Sequence, residues 1–205
     1  MIVQIRFWWL KINMKYTLLI LILMSNACFA VRMEGFGARY YDEDTENYSD
    51  EHDTNKSLIP DVIIGGDSYV MESSTLDDIA KHTGITVSKD DQASWICLKS
   101  EGVNYWFISD NEMGQGDLTA IGIAAGNSNC KAFKDGLEVS INDVPLLNAS
   151  KEKVSSYFSN KPNKDIVMYC NDTKVSGDYI QGNCVQYYLK GAVVKGVFIS
   201  QLTTS

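Results

Sequence analysis

The loop that follows the aromatic segment around Trp106 carries the side chains best placed to do chemistry. Its residues, from Ser109 to Asp117, include the carboxylates of Asp110, Glu112 and Asp117. They do not match an EF-hand calcium loop, because the glycines fall at the wrong positions and the terminal bidentate Glu is missing. Carboxylate pairs also cleave glycans, but proximity in sequence does not establish their separation across a sugar. A polar, glycine-rich connection between two strands is the simpler interpretation.

A second interpretation makes this loop part of a protein interface. Tyr105 and Trp106 precede it, so a rigid aromatic edge would stand beside a flexible acidic tip, a combination enriched at interfaces. Strand residues alternate between faces, so these two side chains point to opposite sides, and the sequence leaves open which one points outward. We predict a partner-binding site, anchored by Trp106, that comprises Tyr105, Trp106, Asp110, Asn111, Glu112, Gln115 and Asp117.

The sequence contains no recognisable enzymatic motif. His52 lies in an acidic segment, and His82 lies near the end of a predicted helix, where a cation favours the helix dipole. No G-x-S-x-G, H-E-x-x-H, C-x-x-C or P-loop pattern occurs, and the cysteines are too far apart for paired zinc ligands. We therefore expect a protein that is not an enzyme, with no catalytic residue, no cofactor and no metal site.

The first thirty residues have the order of a secretory signal. An apolar run, residues 17–24, follows Lys15 and leads into a stretch of small residues that ends at Ala30. We expect residues 1–30 to be a signal peptide with Met14 as the natural start, which predicts export to the periplasm. The run is too short for a transmembrane anchor. Cleavage before Cys28 would instead leave a lipid-anchored terminus, which is the alternative.

Four cysteines remain after such a cleavage, namely Cys97, Cys130, Cys170 and Cys184. An even number of cysteines in an oxidising compartment predicts two disulfides, and four cysteines allow three pairings. We expect the pairs Cys97–Cys130 and Cys170–Cys184.

The exported chain is acidic, because the 15 basic and 26 acidic residues after Ala30 give a net charge of -11. Phosphate binding needs a positive surface, so this charge argues against a nucleic-acid binder and favours a basic protein partner. Seven of the acids lie between Tyr40 and Asp53, a segment with no basic residue and almost no aliphatic side chain. We predict that residues 31–57 form a disordered acidic arm.

From residue 58 onward, self-comparison predicts two similar units, 58–130 and 131–205, offset by 75 residues. Each has two short strands, then a helix capped by the hydroxyl of Thr75 or Ser150, then three strands. The candidate strands after the helices are residues 93–99, 104–109, 118–124, 165–170, 184–190 and 192–201. The predicted fold class is α+β, with two units in which a short helix packs on an antiparallel sheet. The alternative is one α+β domain without internal symmetry.

One segment of the second unit resembles a known family. The segment Val144-Pro145-Leu146-Leu147-Asn148-Ala149-Ser150, with the strands that follow to Gln201, is similar to the helix-and-sheet repeat shared by the β-lactamase-inhibitor protein and the small lipoproteins of the outer-membrane assembly machinery. Residues 159–162 only echo the family's Leu-Gly-x-Pro. The resemblance covers the second unit well and the first loosely, and it implies a bacterial periplasmic binder that is not an enzyme.

These features lead to one functional hypothesis and one alternative. The first is an exported, disulfide-bonded inhibitor of another protein, an immunity protein against a toxic hydrolase effector delivered into the periplasm. Its partner would be basic, and its acidic loop would occlude the partner's cleft. The alternative is an envelope-assembly accessory lipoprotein anchored through Cys28.

Overall fold

The computed structural model describes residues 32–42 and 49–204. The predicted signal peptide lies outside the described residues, as does Cys28. None of the helices in the described ranges is long and apolar enough to cross a membrane.

The described chain consists mainly of β-strands. Two α-helices, α1 (Leu76–Thr83) and α2 (Lys151–Phe158), and one 3-10 helix (Gly35–Tyr41) accompany them. The strands are β1 (Ser49–Asp53), β2 (Asp61–Ile64), β3 (Asp67–Tyr69), β4 (Ser88–Lys89), β5 (Ala93–Ser100), β6 (Val103–Asp110), β7 (Ala120–Ala125), β8 (Lys131–Ala132), β9 (Leu137–Ser140), β10 (Ile166–Ser176), β11 (Tyr179–Lys190) and β12 (Val193–Thr204).

Most strands belong to one mixed sheet of nine strands, in the order β1-β10-β11-β12-β7-β6-β5-β4, with β8 added alongside β5. The pairs β1–β10 and β5–β8 are parallel and the others are antiparallel. A second sheet has three antiparallel strands in the order β3-β2-β9.

The predicted fold class, two separate helix-on-sheet units, is therefore wrong. The six strands predicted after the helices are present, but β7 and β12 pair with each other and merge the two groups of three into one sheet. The small sheet also mixes the predicted units, since β2 and β3 come from the first and β9 from the second. Alternation along a strand determines which face is buried, but it does not determine which strand edges pair.

Both α-helices begin where the sequence predicts. The Thr75 hydroxyl accepts a hydrogen bond from the Asp78 amide (3.1 Å) and the Asp78 carboxylate accepts one from the Thr75 amide (3.2 Å), a capping box. The Ser150 hydroxyl accepts one from the Lys153 amide (3.1 Å). Each helix ends at a residue in the left-handed conformation, Gly84 or Ser159, which satisfies terminal carbonyls.

The larger hydrophobic core lies between the main sheet and a layer that contains both α-helices and the small sheet. Ile79 of α1 and Val154 of α2 are fully buried there against strand residues such as Phe107 and Tyr187. We call this side of the main sheet the helix face.

The opposite side is covered by residues 32–42, which we call the N-terminal strap, and we call this side the strap face. The Phe36 ring of the strap stacks on Phe198 (4.9 Å between centroids) and meets the edge of Tyr188 (5.1 Å). It occupies the space above Gly196, where any Cβ would overlap it. Trp95 and Trp106 are buried in the same cluster, 6% and 2% exposed.

Within residues 31–57, predicted as a disordered acidic arm, the structure describes two parts, residues 32–42 and residues 49–57. The strap packs on the sheet, and β1 pairs in parallel with β10, with the Asn163 amide donating to the Asp50 carboxylate (2.9 Å). The prediction of disorder rested on the near absence of aliphatic side chains in this segment. Aromatic rings and backbone pairing stabilise the described parts instead.

Two disulfides join the cysteines as predicted, Cys97 to Cys130 and Cys170 to Cys184. The first ties β5 to the chain just before β8, and the second links β10 to β11 at directly opposed positions. Disulfides of this kind persist in an oxidising, exported compartment.

Candidate functional site

The loop after β6 is a hydrogen-bonded turn organised by Asp110. One oxygen of its carboxylate, Oδ1, accepts hydrogen bonds from the amides of Glu112 and Met113, each at 2.8 Å. The other oxygen, Oδ2, accepts one from the Tyr40 hydroxyl at 2.8 Å. Asp110 therefore holds both the turn and the end of the N-terminal strap.

A neighbouring carboxylate holds the strap in the same way. Asp90, just before β5, accepts hydrogen bonds from the amides of Gln92 (2.9 Å) and Ala93 (2.8 Å) through Oδ1 and from the Tyr41 hydroxyl through Oδ2. Consecutive tyrosines of the strap thus bind carboxylates from two different loops.

Between these two anchors lies an open cavity of about 300 Å³. We call it the acidic cavity, and its lining consists of two tyrosines, one amide and four carboxylates: Tyr40, Tyr41, Asp42, Asp91, Gln92, Asp110 and Glu112. Asp91 and Glu112 are exposed on its rim.

The electrostatics of the acidic cavity are dominated by negative charge. Burial and the hydrogen bonds to carboxylates raise the pKa of Tyr40 and of Tyr41 well above its usual range, so both hydroxyls stay protonated and donate. Two cations lie close by: Arg39 pairs with Asp42 (3.5 Å) and stacks over Tyr188, and Arg32 lies over the Tyr41 ring (4.6 Å). They offset only part of the charge of the surrounding carboxylates.

The structure places the predicted aromatic residues inside the fold. Trp106 is only 2% exposed, because the strap covers it, so it is not available as a surface anchor. Tyr105 is half-buried against the helix-face core, and burial raises the pKa of its hydroxyl. The sequence leaves open which of these two side chains points outward. In the structure neither lies on an open face, because both faces of β6 are covered.

The remaining predicted residues divide between two sides of the loop. Asp110 and Glu112 lie together in the acidic cavity, and Asn111 lies behind them, accepting from the Ser94 hydroxyl (2.9 Å) and donating to the Asp90 carbonyl (2.8 Å). Gln115 is exposed with a positive φ of 51°, and Asp117 forms a β-bridge with Thr75 beside α1. Neither lines the cavity.

Sequence reasoning missed five residues of this cavity, Tyr40, Tyr41, Asp42, Asp91 and Gln92. The signal that could have found the tyrosines is the cluster of aromatic residues in 36–41, unusual for a segment expected to be solvated. The signal for Asp91 is its place beside Asp90, two residues before a strongly apolar strand.

The histidines lie away from the acidic cavity. The Nδ1 atom of His82 lies 2.8 Å from the Tyr69 hydroxyl and 2.9 Å from the Asp67 carboxylate, while His52 Nε2 lies 3.3 Å from the Asp50 carboxylate. Among residues 32–42 and 49–204, no group of three or more His, Cys, Asp or Glu side chains is arranged to hold a metal ion.

Comparisons with protein families, with curated proteins and with solved structures find no significant match to this chain. The resemblance to the β-lactamase-inhibitor protein and the outer-membrane assembly lipoproteins therefore stays a prediction.

Proposed function

We propose that this protein is an exported, non-enzymatic inhibitor of another protein, an immunity protein against a toxic hydrolase effector. The acidic cavity would receive a lysine or arginine side chain from the partner. The observation that carries the proposal is the cavity itself, in which two tyrosines and four carboxylates from separate parts of the chain converge.

The chemistry of the cavity suits a cationic side chain on a protein surface. Carboxylates on the rim attract a positive charge over a distance and accept charge-assisted hydrogen bonds on contact. The tyrosine rings add partly exposed apolar surface against which the aliphatic stem of a lysine can pack. Tyrosine is also among the residues enriched at binding hot spots.

The wider properties of the chain agree with this proposal. The net charge of -11 after Ala30 steers a basic protein toward it, and the two disulfides suit a compartment in which an exported toxin would be met. The proposed site differs from the one predicted from sequence: Trp106 is buried and is left out, and Asp91, Tyr40 and Tyr41 are added.

The test is capture of the partner followed by inhibition of its activity. The exported chain is used to capture proteins from the envelope and secreted fractions of its source, and a captured hydrolase is titrated against three forms of the protein. These are the wild type, Asp91→Lys with Glu112→Lys at the rim, and a control with the same charge change, Asp61→Lys with Glu138→Lys, on exposed positions of the small sheet.

We expect stoichiometric inhibition by the wild type and by the control. We expect roughly tenfold weaker inhibition by the rim variant, because it replaces attraction of the cationic side chain by repulsion. Equal inhibition by the rim variant and the control would refute the cavity as the binding site. Captured proteins whose activity does not change would refute inhibition.

A further inference from the structure

The hairpin formed by β10 and β11 extends beyond the strand that flanks it. β1 covers β10 only from Ile166 to Cys170, and the last contact is the hydrogen bond from the Thr54 amide to the Cys170 carbonyl (2.8 Å). The residues from 172 to 180 are all exposed, and among the described residues no strand pairs with the outer edge of β10 beyond Cys170.

The direction of the free backbone groups follows from that last hydrogen bond. Along a strand, the amide and carbonyl of alternate residues point to the same side. Since the Cys170 carbonyl points to β1, the backbone groups of Asp172 and Lys174 also point outward. The register with β11 stays regular to Lys174, where a shift follows, so this alternation holds over both residues. An unpaired edge of this kind is a template for another strand.

The side chains at these two positions carry opposite charges. Asp172 and Lys174 lie on the same face of the hairpin, where both line an open cavity of about 320 Å³ with Ile180. Neither makes an ion pair with a described residue. Val175, Tyr179 and Ile180 nearby are large apolar side chains, 56%, 54% and 45% exposed.

We infer that the outer edge of β10 pairs with the same edge of a second copy of this chain, antiparallel about a two-fold axis at Thr173. In this register Asp172 of each copy lies opposite Lys174 of the other, with their outward backbone groups directly paired. The charge pattern is self-complementary only in this arrangement, which a two-fold axis makes possible. The result is one sheet that continues through both copies. This interface is separate from the acidic cavity and does not depend on the proposed function.

The first test is the dependence of association on charge, measured by sedimentation of the exported chain over a concentration series. We expect a monomer–dimer equilibrium for the wild type. Asp172→Lys alone, or Lys174→Asp alone, sets like charges opposite each other at both pairs and should weaken the dimer roughly tenfold. The double exchange, Asp172→Lys with Lys174→Asp, should restore it, and thermal unfolding of each variant shows that the hairpin is still folded.

The second test is cross-linking at the axis. In the dimer, Thr173 of one copy would lie opposite Thr173 of the other at a non-hydrogen-bonded position. Their Cα atoms would be about 4.5 Å apart, a distance that a disulfide can bridge. Thr173→Cys should therefore form a covalent dimer under mild oxidation, whereas Lys190→Cys, exposed at the other end of β11, should not. A wild type that stays monomeric, an association indifferent to the charge exchanges, or equal cross-linking of both cysteine variants would overturn the inference.

Discussion

A methyl group added at Gly37 tests whether the N-terminal strap is seated on the sheet. A Cβ at this position would lie 2.5 Å from Nε1 of Trp106 and 2.8 Å from Sδ of Met33. The indole is a rigid ring buried among Phe36, Phe198 and its own strand, so it cannot turn away. Gly37→Ala should therefore displace the strap from Trp106.

The expected magnitude follows from the cost of overpacking a filled core, about 1–3 kcal/mol. For a domain of this size each kcal/mol lowers Tm by about 2–4 °C. The strap carries Tyr40 and Tyr41, so its displacement also opens the acidic cavity, and the two effects should appear together.

Trp106 fluorescence is the assay. Trp95 and Trp106 are the tryptophans after Ala30, so Trp95→Phe leaves a single reporter in a protein that begins at Val31. In that background, Gly37→Ala should shift the emission to longer wavelength and increase quenching by iodide, because the indole meets water. Gly182→Ala is the matched control, since its Cβ would lie 3.8 Å from its nearest neighbours. If both alanine variants show the same emission, quenching and Tm, the described seating of the strap is wrong.

Three further predictions concern stability. Replacing Cys170 and Cys184 by serine should lower the free energy of unfolding by about 3 kcal/mol, as expected for their 14-residue separation, and no change in the urea midpoint would contradict this. Thr75→Ala removes the capping box of α1 and should cost about 1 kcal/mol in the same assay, whereas an unchanged midpoint would show that the cap is not formed. The hydrogen bond from the Asn163 amide holds the pKa of the Asp50 carboxyl below its ordinary value. The ionised carboxylate therefore stabilises the fold above about pH 4, and this contribution is lost as the pH falls through the folded-state pKa. Asp50→Asn should therefore reduce the loss of stability on acidification, and an acid transition identical to that of the wild type would exclude this role.

Local features were predictable because they depend on neighbours in sequence. The caps at Thr75 and Ser150 follow from hydroxyls placed before amphipathic segments, and the central strands follow from alternation. Both disulfide pairs also appear as expected. At the two helix starts the structure repeats one pattern: the amides of Leu76 and Lys151 donate to the carbonyls of Gly116 and Ala192, just before the last strand of each group.

The assembly of these elements was not predictable, because it depends on contacts distant in sequence. The pairing of β7 with β12 joins strands from the two halves of the chain, and no local pattern distinguishes it from two separate sheets. The position of the strap was unpredictable for a different reason. Its aromatic side chains mark a segment that could pack, but only the groove above Gly196 shows where Phe36 lies.

The candidate site was half predictable for the same reasons. Asp110 and Glu112 belong to one loop that the sequence singles out, and both lie in the acidic cavity. Tyr40 and Asp91 reach it from distant segments, and Trp106 is withdrawn from it because the strap covers the strap face. Residues that share a loop could be grouped from sequence, whereas residues brought together by the fold could not.

Zero-length cross-linking of carboxylates to lysines, read by mass spectrometry in a complex with a captured partner, shows directly whether the acidic cavity is the binding site. We expect cross-links from Asp91 and Glu112 to lysines of the partner, and their loss in the variant that combines Asp91→Asn with Glu112→Gln. Cross-links at Asp61 and Glu138 on the small sheet, with none at the cavity rim, would refute binding through the acidic cavity.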